Sequence, residues 1–375
     1  MKNRLIAFLA SSVALVAPVL AIQISDGDYT GTFSYSEAVE NQPLYFGWNG
    51  GTWDPQDVYQ TYAITLSHVN GPIYMGYSDT GVAQPLTGTI LGAIHLATYA
   101  DSEVTAHSSL YFNNAATITG EVRAYTSGTV YFNNSGNIGD LALRIDRLSD
   151  TEFTVINTGT AKYLEVQGSG DFGYACTGSV TNAGSVYALD VTHLDNAYIT
   201  MKKGSSVEAF IGIGALSNAT LHVEAQAFVV RDDGSGDMAG FFAFAGNPNQ
   251  PDNRVVMDLE SSSTYASIKA DYVHIQWEGD GTFDGNVDLI LNFTGGAEHF
   301  LLGTEMVLFE SLTTPISGGF ANIKDGDTVT YGGQTFTWIV TDTKVSLYVG
   351  NIPEPAWAAS LLGAFMLTAI LRRKK

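Results

Sequence analysis

"SSLYFNNAATITG" at residues 108–120 is answered by "GTVYFNNSGNIGD" at residues 128–140. Tyr111-Phe112-Asn113-Asn114 returns as Tyr131-Phe132-Asn133-Asn134, an offset of 20 residues. A unit this short cannot enclose a hydrophobic core by itself and must stack on its neighbours. A weaker echo joins "DRLSDTEFTV" (146–155), "THLDNAYITM" (192–201) and "GALSNATLHV" (214–223), each a Leu with short polar residues ahead of an alternating strand. Leu194 and Leu216 lie 22 apart, and Leu148 and Leu194 lie 46 apart, two periods of 23. Periods of this length with short strands predict an all-β fold, a parallel β-helix or solenoid. Phe112 is expected to stack on Phe132, and Asn113 to hydrogen-bond to Asn133 at a turn. A β-sandwich also places short strands at regular spacing. It needs no echo at a fixed period, so the solenoid is the favoured reading.

Composition agrees with strands. Charged residues make up only 15%, with 40 Gly, 19 Tyr and 19 Phe, a mixture that suits strands and tight turns better than long helices. The net charge is −21, and six of the 17 Lys and Arg sit at the two ends. The segment 22–352 therefore holds 11 bases against 37 acids. A nucleic-acid partner is excluded, because phosphate binding needs a basic surface. Cys176 is the only cysteine, so no intrachain disulfide forms and the body must rely on its core.

Both ends read as processing signals. "MKNR" followed by the apolar "LIAFLASSVALVAPVL" and the small residues Val19 and Ala21 predicts a signal peptide cut by a leader peptidase after Ala21. At the other end stands "NIPEPAWAASLLGAFMLTAILRRKK". Ala356 to Leu371 is an uncharged run just short of a usual membrane span. Arg372, Arg373, Lys374 and Lys375 would stay on the cytoplasmic side. Pro353 and Pro355 hold the flanking peptide extended. Pro353-Glu354-Pro355, one apolar helix and a basic terminus together resemble the PEP-CTERM sorting signal of exported proteins in Gram-negative bacteria, often bacteria that make exopolysaccharide. The resemblance covers the last 23 or so residues. It implies an exosortase-type processing enzyme as partner, a transient hold in the inner membrane through a transmembrane helix, and a final place at the cell surface, in the outer envelope or outside the cell.

These readings divide the chain into a signal peptide (1–21), an N-terminal β cap (22–85), the solenoid (86–300), a C-terminal β capping module (301–350) and the sorting signal (351–375). The capping module carries "GGFANIKDGDTVTYGGQTFTWIVTDTKVSLYVG", which reads as strand, Asp-Gly turn, strand, Gly-Gly turn and two more strands. It is similar to the C-terminal module of secreted proteins with autotransporter-type repeats, which implies capping and no catalytic residue.

No catalytic motif stands out. The seven histidines (68, 95, 107, 193, 222, 274, 299) form no zinc pair. There is no nucleophile elbow and no phosphate loop. Cys176 lies in an apolar stretch and reads as core. "EGDGTFDGNVD" spaces Asp280, Asp284 and Asp288 evenly, but Thr282 and Leu291 stand where a calcium loop needs oxygen ligands. "RDDGSGDMAG" holds one half-unit of a calcium β-roll and does not recur. Both read as Asp-Gly turns, so neither metal nor cofactor is expected. Neighbouring coils show no recurring acid pair in the sequence. The expectation is therefore a non-enzymatic surface or matrix protein, such as an adhesin or envelope component in contact with exopolysaccharide. The alternative is a carbohydrate-active β-helix enzyme, for which convergent carboxylates beside exposed aromatics would speak.

Overall fold

The computed structural model describes short strands between residues 22 and 97, then 109–126, 128–145, 151–168, 176–231, 240–245, 253–275 and 287–350. Ala21 and the sorting residues Pro353, Glu354, Pro355, Arg372, Arg373, Lys374 and Lys375 lie outside the described residues. Among the described residues no helix is long and apolar enough to cross a membrane.

The chain is all-β and solenoid-like. Strands alternate between two parallel sheets. Leu110–Asn114, Val130–Asn134, Thr151–Asn157, Cys176–Asn182 and Ala197–Met201 are consecutive rungs of the first sheet. Val122–Thr126, Asn137–Ile145, Thr160–Gly168, Ser185–Asp195 and Ser206–Ser217 are consecutive rungs of the second. Strands Ile22–Ile24, Leu44–Phe46 and Ile73–Met75 join the first sheet in the same parallel sense, so pairing is continuous across residue 85.

The 20-residue echo marks a true register. Leu110 pairs Val130, and the rings of Phe112 and Phe132 stack at 4.7 Å with 4° between their planes. Asn133 Nδ2 donates to Asn113 Oδ1 at 3.0 Å, within the paired strands and not at the turn expected. The second echo is half right. Met201 does pair Val223, at the 22-residue offset. Val155, however, pairs Val180, which pairs Ile199, so the two intervening coils span 44 residues where the echo implied 46. The two-residue slip keeps the same side chains facing inward, because side chains alternate with period 2. The echo therefore imitated the correct pattern in the wrong register.

Every second residue points into one continuous core. Met75, Phe112, Phe132, Val155, Val180, Ile199, Leu221, Val255 and Leu289 form a column of register partners, all at most 2% exposed. Beside it runs a second inward column whose first members are polar. Asn114, Asn134, Asn157 and Asn182 are each fully buried. Asn114 Nδ2 donates to Asn134 Oδ1, Asn134 Nδ2 to Asn157 Oδ1 and Asn157 Nδ2 to Asn182 Oδ1, each at 2.8 Å. The oxygens of Asn114 and Asn134 also accept from the backbone N–H two residues on, in Ala116 and Gly136. Each asparagine precedes a two-residue corner that turns the chain from the first sheet to the second. The first corner N–H donates to the asparagine carbonyl one coil back, as in Thr158 to Asn134 and Ala183 to Asn157, both 2.7 Å. The next residue is Gly136, Gly159 or Gly184 in three of these corners. A Cβ at Gly159 or Gly184 would lie 1.9 Å from the carbonyl oxygen of the glycine one coil earlier.

From residue 220 the coil gains a third side. Ala227–Val230, Ser267–Ala270 and Glu305–Ser311 form a third parallel sheet between the other two. The coil lengthens to 34 residues, as Thr220 pairs Arg254 and Arg254 pairs Asp288. Residues 301–350 then close this end. Lys344–Val349 pairs antiparallel with Glu305–Ser311. The hairpin of Thr328–Tyr331 and Gln334–Val340 turns at Gly332 and Gly333, both with positive φ, as the Gly-Gly turn in the sequence predicts.

Removing one amide from the buried spine strands a donor on one side and an acceptor on the other. Asn134→Ala is expected to cost about 3 kcal/mol in urea unfolding, at about 1–3 kcal/mol per unsatisfied buried group. Asn133→Ala, on the outward column, is expected to cost under about 1 kcal/mol. Equal losses would refute the special role of the inward row.

Candidate functional sites on the outer sheet faces

Stacking assembles two constellations that sequence spacing did not reveal. The first lies on the outer face of the first sheet. Tyr198 comes from Ala197–Met201, His222 from Thr220–Val223, Asp258 from Asn253–Ser261 and Asn292 from Val287–Phe293. Tyr198 Oη lies 3.0 Å from His222 Nδ1, and His222 Nε2 lies 2.8 Å from Asp258 Oδ1. Asn292 Nδ2 donates to the same carboxylate oxygen at 2.7 Å. Asp258 is buried and Tyr198 is 45% exposed, so the group runs from a covered acid through a half-covered imidazole to a wet phenol. A carboxylate facing Nε2 keeps the proton on that nitrogen, which leaves Nδ1 to accept from the phenol. Burial, and then the Asp258 carboxylate, raise the Tyr198 phenol above its ordinary pKa, so it stays protonated as a donor. Beside it Lys202 Nζ donates to Glu224 Oε1 at 2.6 Å.

The second constellation lies on the outer face of the second sheet. Glu165 and Asp190 are register partners on adjacent coils, a single acid pair where the sequence shows no recurring one. A pair formed once, at an offset of 25, leaves no periodic trace. Asp190 is pushed up to about 6, first by burial and then by the Glu165 carboxylate. Aromatic rings share the outer face of this sheet. Tyr163 meets Tyr187 edge-on at 5.8 Å, and Phe241 stacks on Tyr272 at 4.5 Å. An irregularity in pairing after Val186 falls just before Phe210. The Phe210 ring then lies over Gly212, where a Cβ would be 2.4 Å from it and 3.4 Å from Asp190 Oδ1.

The other residues singled out by sequence stay apart. Cys176 is fully buried at the start of its strand. Asp280 and Asp284 lie outside the described residues, and Asp288 pairs in register with Arg254. Among the described residues no three His, Cys, Asp or Glu converge as metal ligands. His222 was one of seven scattered histidines. Its partners lie 24 and 36 residues away, offsets that mean nothing until coil lengths are known.

No protein-family profile matches the chain, and no curated protein does.

Asp190 sets a pH test. Its pKa is raised on folding, so the native state holds its proton more tightly than the unfolded chain does. Its contribution is then neutral below about pH 4 and turns unfavourable as pH rises through about 6. Asp190→Asn is expected to gain stability relative to the parent at pH 8, by about 2–3 kcal/mol, and to gain little at pH 3.5. A gain of equal size at both values would show that charge is not the cause.

Proposed function

We propose that the protein is an exported, non-enzymatic component of the cell surface or extracellular matrix of a Gram-negative bacterium, an adhesin or envelope component sorted by an exosortase-type enzyme. The observation that carries this reading is one parallel ladder continuous from Ile22–Ile24 to Val287–Phe293, with cohesion from backbone pairing and a buried amide row. Such a body suits a compartment where this single-cysteine chain has no disulfide to hold it. The ends supply the address: a leader ending at Ala21, and Pro353-Glu354-Pro355 with an apolar segment and Arg372 to Lys375. The apolar segment of 16 residues, at about 1.5 Å each, reaches roughly 24 Å against a hydrocarbon core of about 30 Å. It suits a transient hold better than a permanent anchor. The body's acidity, 37 acids to 11 bases over 22–352, favours solubility outside the cell.

The intact mass of the protein from its native host tests this. Loss of both ends, near Ala21 and near Pro353–Pro355, is the expected result. A mass that still includes Ala356 to Lys375 would make the tail an ordinary anchor.

A second reading, a polysaccharide hydrolase, is favoured by Glu165 and Asp190. Adjacent strands lie about 4.8 Å apart, so side chains of register partners can bring two carboxyls to the roughly 5–5.5 Å that retaining glycosidases need. Asp190, whose proton is held by burial, would be the donor to the leaving oxygen, with Glu165 as the nucleophile. Under this reading the host's exopolysaccharide is cut, and the rate falls above about pH 6 and is lost in Asp190→Asn. No release of reducing ends by the parent protein would exclude it.

A further inference from the structure

Upstream of both constellations, the outer face of the first sheet carries a row of tyrosines. Tyr74 pairs Tyr111 and Tyr111 pairs Tyr131, three consecutive rungs with a tyrosine at one outward position. The rings of Tyr74 and Tyr111 stack at 4.7 Å with 5° between their planes. Tyr77 stands edge-on over both, at 6.0 and 6.2 Å. Tyr74, Tyr111 and Tyr131 are half-buried and Tyr77 is buried. Its phenol is pushed up to about 12, first by burial and then by the neighbouring phenols. On the inward side of the same rungs the matching stack is Phe112 on Phe132.

Stacked rings turn their faces to one another and their edges outward. The row therefore does not offer a flat ring face to a sugar. Tyr74 and Tyr111 instead hold near-parallel rings 4.7 Å apart, a spacing from which the carbons ortho to the two hydroxyls can meet. These carbons carry the unpaired spin once a phenol loses an electron and a proton. We propose that Tyr74 and Tyr111 are a site of oxidative coupling, in which a haem peroxidase with hydrogen peroxide joins their rings through one carbon–carbon bond and clamps two consecutive coils. Each phenol gives up one electron and one proton, and the two phenoxyl radicals combine at their ortho carbons. The hydrogens on those carbons return to the oxygens as protons. Two hydrogens leave in all, and one peroxide is reduced to two waters. The clamp supplies a covalent link that the single cysteine cannot. It joins Ile73–Met75 to Leu110–Asn114, rungs separated by a 37-residue coil, since Ile73 pairs Leu110. Closing a loop of that length restricts the unfolded chain, as a disulfide would. The inference does not depend on the sorting tail.

Treatment of the purified full-length chain with peroxide and a haem peroxidase tests it. The expected result is dityrosine fluorescence, a mass lower by two hydrogens, and a cross-linked peptide joining Tyr74 to Tyr111. The yield per chain should not depend on protein concentration. Tyr111→Phe keeps the stacked ring and removes the phenol, so that peptide is expected to vanish while the melting temperature before oxidation is unchanged. Tyr163 and Tyr187, edge-on at 71°, are expected to couple far less. The proposal fails if the Tyr74–Tyr111 peptide is absent while other tyrosines couple. It also fails if the link forms only between chains, or as readily in urea as in the folded protein.

Discussion

The corner where each coil turns from the first sheet to the second is the constraint on which the stack depends. A two-residue corner leaves the backbone groups around it short of partners, and burial would make that costly. The Asn114–Asn134–Asn157–Asn182 row answers this with side chains that donate and accept in the same direction as the backbone ladder. Each inner amide, Asn134 and Asn157, satisfies one neighbour above and one below, so neither can be exchanged alone. The glycines of these corners follow from the same closeness. With corner carbonyls facing the next coil at Gly159 and Gly184, there is no volume for a Cβ.

The row ends where the geometry it serves ends. Met201, Val223 and Met257 continue the column beyond Asn182. After Met201 the corner becomes a four-residue turn, closed by Ser205 N–H on Lys202 O and by positive φ at Gly204. After Val223 the chain runs on into the third sheet and no tight corner remains. Apolar side chains then suffice, because the widened coil has core on that side. The open end is treated by the same rule of satisfying the backbone. Asn322 presents its side-chain amide to the last rung of the first sheet, accepting from Leu289 N–H at 2.9 Å and donating to Leu289 O at 3.0 Å. One side chain thus imitates a paired residue at an edge that would otherwise recruit another strand.

Much of this was legible in the sequence, because period-2 alternation and a short repeat have few other solutions. The Phe112–Phe132 stack, the Asn113–Asn133 contact and the Gly332–Gly333 hairpin follow from local pattern. The amide spine was half visible. Asn114 and Asn134 sit inside the quoted repeat, each beside an outward asparagine, Asn113 or Asn133, that the same repeat displays equally. The further members lie in "INTG" and "TNAG", at offsets of 23 and 25, and the signal that three of the four share is Asn followed two residues later by Gly. The outer-face constellations were not legible. Glu165 with Asp190, and Tyr198 with His222 and Asp258, depend on coil lengths, which in the first sheet run from 19 residues, between Gly178 and Ala197, to 37 residues, between Ile73 and Leu110. Loops absorb those differences and leave no periodic mark.

That independence of loop length and register explains how an outer face acquires chemistry here. Along a strand, side chains on one face recur about every 6.6 Å, and across strands about every 4.8 Å. The stack therefore presents a lattice of outward positions whose spacing does not change when a loop grows. The inward columns are tied to one another by packing and by the amide row, so substitution there is felt several coils away. Outward positions touch only their lattice neighbours. Tyr198, His222, Asp258 and Asn292 occupy four successive rungs, yet they meet at hydrogen-bonding distance. Each lies on a strand whose opposite face is an ordinary apolar column. A chain built this way can gain or lose a surface group without renegotiating its fold.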